Sequence, residues 1–120
     1  MKLFIRITAA LILLALILIL RPVPRATYKN SAVVKDTVSS IADAGGPYDV
    51  AIWLKNDKRY FYINRGGQNG IDAAQFNKKL KGKVVSLYYS KHWTPLDPKN
   101  KVRHVTRLEY EGEVLYNEIE

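Results

Sequence analysis

Between Ile7 and Leu20 the chain carries no charged side chain, and Thr8 is the sole polar one. That run makes a helix of about 21 Å at 1.5 Å per residue, short of a ~30 Å hydrocarbon core. Leu3, Phe4 and Ile5 extend it to roughly 27 Å, with Arg6 in the first turns, where its long stem reaches the headgroups. Pro22 and Pro24 are expected to stop the helix, because proline lacks the N–H that a continuing turn needs.

Two readings fit such a segment. A secretory signal peptide has a basic start and an apolar stretch of this length, and it also needs small residues at its cleavage site. Here Leu20 is followed by Arg21-Pro22-Val23-Pro24-Arg25-Ala26, with Ala26 the single plausible cut and Pro24 two places before it. This favours an uncleaved signal-anchor over residues 1–20. Residues 21–30 read as a juxtamembrane linker and 31–120 as one small domain. A core helix is the poorest reading, since so short a chain has little protein to surround a helix apolar on every side. Lys2 and Arg6 precede the segment, whereas Arg21, Arg25, Lys29 and Lys35 follow it. Counted alone, these cations favour a cytoplasmic domain. The short basic N-tail before an apolar run is the layout of an exported chain, and an extracytoplasmic domain is expected on that ground.

The net charge of +8 is misleading until it is placed. Residues 1–29 hold five cations and no acid, so most of the excess belongs to the membrane flank, where it attracts anionic lipid. The rest of the chain is close to balanced. Cysteine is absent, which excludes a disulfide framework.

The domain reads as strands around one helix. Val33–Ile41 is a β-branched strand. Tyr48–Lys55 alternates, with Tyr48, Val50, Ile52 and Leu54 on one side and Asp49, Ala51 and Trp53 on the other. Asn56-Asp57 turns it into Lys58–Asn64, with Phe61 and Ile63 opposite Tyr60 and Tyr62. After the glycine-rich stretch Arg65–Gly70, Asp72 is placed to cap a helix, with Gln75 three residues on and Ile71 and Phe76 as a staple. Ala73, Phe76 and Leu80 form the inward stripe, and Gly82 is a stop. Lys83–Ser90 and Val102–Tyr110 are strands, and Glu111-Gly112 turns into a last one, Glu113–Asn117. The order β-β-β-α-β-β plus an arm predicts an OB-fold-like barrel. An SH3-like barrel or an open α+β sheet stays open as an alternative.

Trp53, Tyr60, Tyr62 and Tyr88 are expected to point out of this barrel. OB-folds bind oligosaccharides and oligonucleotides on strands two and three and the neighbouring loops. The candidate ligand face is therefore Trp53, Tyr60, Tyr62 and Trp93, with charge from Lys58, Arg59 and Arg65; packing beneath other elements is the plainer reading of these rings. From Lys78 to Arg107 run nine cations, Lys78, Lys79, Lys81, Lys83, Lys91, Lys99, Lys101, Arg103 and Arg107, against one acid, Asp97. The tail answers with Glu109, Glu111, Glu113, Glu118 and Glu120, so an internal match between the last strands is the simpler account; a polyanion site, or a face laid on anionic lipid, is the sharper one. His92 and His104 have no zinc-type spacing. No serine sits in a Gly-x-Ser-x-Gly turn, and Gly66–Gly70 lacks the Gly-Lys-Ser/Thr ending of a phosphate loop.

No cofactor, metal or catalytic set is implied. The expected function is non-catalytic: a membrane-anchored binding or scaffolding module whose partners are the lipid bilayer and a protein or glycan. Single-stranded nucleic-acid binding is the alternative if the domain is cytoplasmic. A hydrolase of envelope polymers is a third reading, and no carboxylate pair stands out for it.

Overall fold

A computed structural model describes residues 1–20, 26–44, 49–68 and 70–119. The stop at Pro22 and Pro24, and the inward place expected for Tyr48, lie outside the described residues. Helix α1, Lys2–Leu20, buries none of its residues and is long and apolar enough to cross a membrane. Its one hydroxyl, on Thr8, donates to the Phe4 carbonyl at 2.9 Å, so that donor is satisfied within the helix.

The strands are β1 (Ser31–Asp43), β2 (Val50–Leu54), β3 (Tyr60–Ile63), β4 (Val84–Ser90), β5 (Val102–Tyr110) and β6 (Glu113–Asn117); α2 spans Ala73–Leu80 between β3 and β4. The long first strand does two jobs. Its first half pairs with β4 from Ser31↔Ser90 to Thr37↔Val84, and its second half pairs with β2 from Val38↔Leu54 to Asp43↔Val50. The register slips between Val38 and Ser40, just past the point where the partner changes. A bulge of this kind bends a strand sharply enough to serve two sheets. β2 and β3 form the expected hairpin. β3 then pairs in parallel with β5 through Tyr60↔Val102, Phe61↔Arg103 and Tyr62↔His104, and β5 pairs antiparallel with β4. The ring β1-β2-β3-β5-β4 is closed, and the domain is an OB-fold-like barrel. Beyond Ile63, β6 replaces β3 along the free side of β5. Its turn has Glu111 at φ 50° and Gly112 at φ 80°. Both values are positive, as a two-residue type I′ hairpin requires.

Alternation fills the barrel. Val38, Val50, Ile52, Phe61, Ile63, Val85, Leu87, Val105 and Leu108 all point inward and are buried. Leu80 and Ala73 are buried from α2, with Phe76 partly so. The helix begins as its sequence requires: the Asp72 carboxylate accepts the Gln75 N–H at 3.1 Å. Asn77 ties α2 to the barrel, its side-chain oxygen accepting the Ile41 N–H at 2.9 Å.

Gly66, in the connection from β3 to α2, has no room for a side chain. A Cβ there would stand 2.9 Å from Val50 Cγ2 and 3.2 Å from Ile63 Cγ2. Both neighbours are buried and β-branched, so neither rotates away cheaply. Gly66→Ala is expected to cost about 1–3 kcal/mol by overpacking. Thermal unfolding followed by circular dichroism should show Tm lowered by roughly 5–20 °C. An unchanged Tm would mean that this connection yields more freely than its packing implies.

Candidate functional site

The outer faces of β2, β3 and β5 carry a continuous row of rings. Ile52↔Phe61 is the last registered pair of the β2–β3 hairpin, so Trp53 and Tyr60 come next on the opposite, outer face. Their ring centroids lie 5.8 Å apart at 73°. Tyr60 and Tyr62 are two residues apart on one strand, hence on one side, with centroids 6.3 Å apart and planes within 25°. The parallel pairing sets Tyr62 beside His104, at 5.4 Å and 73°. His104 Nε2 lies 2.5 Å from a Glu118 carboxylate oxygen. An ionised carboxylate only accepts, so this ring nitrogen carries the proton and donates it. Glu118 is held in turn by its own N–H, which donates to the Thr106 carbonyl at 2.7 Å.

Trp53 is 38% exposed, and Tyr60, Tyr62 and His104 are half-buried. Each ring thus rests on the wall while leaving surface for a ligand. Burial raises the Tyr62 phenol above its ordinary value, and the carboxylates of Asp49 and Glu118 raise it further. The hydroxyl therefore stays protonated across physiological pH. This end of the row offers neutral hydroxyls, an imidazole and two nearby negative charges.

The other candidates lie elsewhere. Arg59 turns to the end of the barrel: its guanidinium donates to both Asp57 oxygens and to the Tyr89 hydroxyl, and stands 4.6 Å from the Tyr89 centroid. Asp57, two residues before it, captures it locally. Arg103 reaches the same Tyr89 ring at 5.3 Å, is 5% exposed, and donates to the Asn100 side chain and the Ser90 carbonyl. Arg103 is thus buried, whereas Arg59 is partly exposed but held by Asp57 and Tyr89. Arg65 is in the left-handed region (φ 52°), its N–H donating to Asp49 at 2.9 Å. Trp93 lies in the β4–β5 connection. Tyr88 belongs to a second outer cluster, 6.0 Å from Tyr28 and beneath the Arg107 guanidinium. Arg107 pairs along its own strand with Glu109 at 2.6 Å, and Lys79 meets Glu113 at 3.5 Å across exposed surface. So the charge match of the last strands runs partly within β5 and partly from α2 to β6.

Sequence reading did not place His104 or Glu118 in the site. The signal available was the place of His104 between two buried neighbours; what was missing was the parallel β3–β5 register. Among the described residues no three His, Asp or Glu side chains converge as a metal set. Compared with known proteins, the chain matches no family model, no curated protein and no solved structure. Fold and site together define a class: an OB-fold-like barrel following a helix of membrane-spanning length.

Proposed function

We propose that this protein is a membrane-tethered, non-catalytic binding module that holds a neutral glycan chain along Trp53, Tyr60, Tyr62 and His104. The observation that carries this reading is the unbroken row of rings on the strands where OB-folds hold extended polymers. The apolar faces of sugar rings lie against aromatic faces. Their hydroxyls find donors and acceptors in the tyrosines, His104 and Glu118. The carboxylates of Asp49 and Glu118 beside Tyr62 disfavour a polyanion, which argues against single-stranded nucleic acid on this wall. In this reading the domain faces away from the cytoplasm, and α1 confines it near the bilayer.

The test uses the full Trp93→Phe chain in detergent micelles, titrated with chito-, cello- and malto-oligosaccharides while Trp53 fluorescence is followed. At least one is expected to bind saturably. Tyr60→Ala and Tyr62→Ala should each weaken binding about two- to tenfold, as ~0.5–1.5 kcal/mol per aromatic contact implies. Salt-sensitive binding of oligothymidylate, with no ring-dependent binding of any sugar, would replace this reading with the nucleic-acid one.

A further inference from the structure

The β4–β5 connection, residues 91–101, leaves the barrel at the place where the chain arrives from α1. Ser31 opens β1 and pairs with Ser90, which closes β4. The Lys91 N–H donates to the Asn30 carbonyl at 2.9 Å, and Lys91 Nζ donates to the Lys29 carbonyl at 3.3 Å. Residues 21–30, which join this point to α1, span at most about 35 Å even fully extended. The connection therefore stays within about 35 Å of whatever surface holds the helix.

Its composition suits that surface. Leu96 is 73% exposed and Trp93 is 40% exposed, with Val102 at the base of the loop 46% exposed. Lys91, Lys99 and Lys101 lie on either side of Trp93 and Leu96 in the chain and are all exposed. The loop's one acid, Asp97, accepts the backbone N–H groups of Lys101 and Val102 at 3.0 and 2.8 Å. Its carboxylate is thus turned into the loop, where these backbone donors lower its pKa. The loop is also preformed. Trp93 Nε1 donates to the Pro98 carbonyl at 3.2 Å, Asp97 N–H to the Thr94 carbonyl at 3.1 Å, and the buried Arg103 grips Asn100 at 2.8 Å. Holding this shape on a surface requires little further ordering.

We propose that residues 91–101 are a second membrane contact, in which Trp93 and Leu96 enter the interfacial layer of the bilayer that holds α1 and the three lysines bind anionic headgroups. Tryptophan favours that layer, being apolar in body and polar at its N–H. The inference rests on α1 lying in a bilayer and is independent of what the aromatic row binds. The contact would hold the barrel in one orientation, with the Tyr60 end of the row nearest the membrane, since Tyr60 N–H donates to the Lys101 carbonyl at 2.7 Å.

The test reconstitutes full-length Trp53→Phe protein into vesicles of phosphatidylcholine alone or with phosphatidylglycerol, with brominated acyl chains as quenchers of Trp93. Flotation with the vesicles reports α1 separately. Trp93 should be quenched in the anionic vesicles, and each of Lys91→Gln, Lys99→Gln and Lys101→Gln should lower the docked-to-free ratio about fivefold, the factor equivalent to ~1 kcal/mol per cation at an anionic surface. The chain has no cysteine, so a nitroxide on Leu96→Cys gives a second reading. It should collide more with oxygen than with an aqueous nickel reagent. Flotation with an unquenched Trp93 and a water-accessible nitroxide overturns the loop contact while leaving the anchor intact. Failure to float overturns both.

Discussion

Phe61→Ala is expected to remove about a third or more of the stability of the barrel. Phe61 is fully buried at the middle of β3, in register with Ile52 on one side and Arg103 on the other. Its ring meets Tyr89 at 5.6 Å and 62°, and the Arg59 guanidinium stands 5.3 Å from its centroid. Truncation opens a cavity where three strands meet and takes away one of the rings on which Arg59 rests. Losing a buried phenylalanine costs about 3–5 kcal/mol, against a total of about 5–15 kcal/mol for a domain. Urea unfolding of the full chain in micelles, followed by tryptophan fluorescence, should show the midpoint falling by a third or more. Tyr62→Ala, on the outer face of the same strand, should shift it far less. Equal shifts for the two variants would mean that the inward and outward faces of β3 are misassigned.

Asp36→Ala is expected to cost about 2–3 kcal/mol at neutral pH, the order expected for hydrogen bonds to a charged group. Asp36 is 8% exposed, and its carboxylate accepts the N–H of Thr37 at 2.6 Å, the N–H of Asn56 at 3.0 Å and the Asn56 side-chain amide at 2.9 Å. It thereby ties β1 to the β2–β3 turn. Burial raises its pKa, but the three donors outweigh burial and the neighbouring Asp57 charge, and the net shift is downward. A carboxyl that is more acidic folded than unfolded contributes stability above its unfolded value, about 3.9, and loses it as pH falls through the lowered folded value. Asp57, held down chiefly by its hydrogen bonds from Arg59, acts in the same direction. Denaturation midpoints should therefore be steady near neutrality and drop below about pH 4. The gap between wild type and Asp36→Asn should narrow over that acid range. A gap constant down to the acid limit would show that the carboxylate charge at this position does not contribute.

The features legible from the residues were those decided within a few positions of one another. The β2–β3 hairpin could be read because Phe61 and Ile63 alternate with Tyr60 and Tyr62, and a period of two leaves no other way to bury one set. The start of α2 could be read because Asp72 reaches only three residues along to its N–H partner. The same period of two puts Trp53, Tyr60 and Tyr62 on one side, and their rings are neighbours. Arg59 was grouped with them by composition, yet Asp57 and Tyr89 draw it to the barrel end. Tyr88 was grouped by alternation alone, yet β4 carries it to another part of the wall.

What the sequence by itself determined is a helix able to span a membrane, the order of strands around one short helix, and which side chains of β2, β3 and β4 point inward. Apolar spacing and turn chemistry act locally, so they are written along the chain. Only the tertiary structure decided that β3 pairs in parallel with β5. That pairing closes the barrel, extends the tyrosine row to His104 and Glu118, and sets Tyr60 against the base of the loop that lies beside the membrane linker. It joins residues some forty positions apart, a distance over which no spacing pattern operates. It is selected because the closed ring buries Phe61 and Val105 together and leaves neither β3 nor β5 with an unpaired edge.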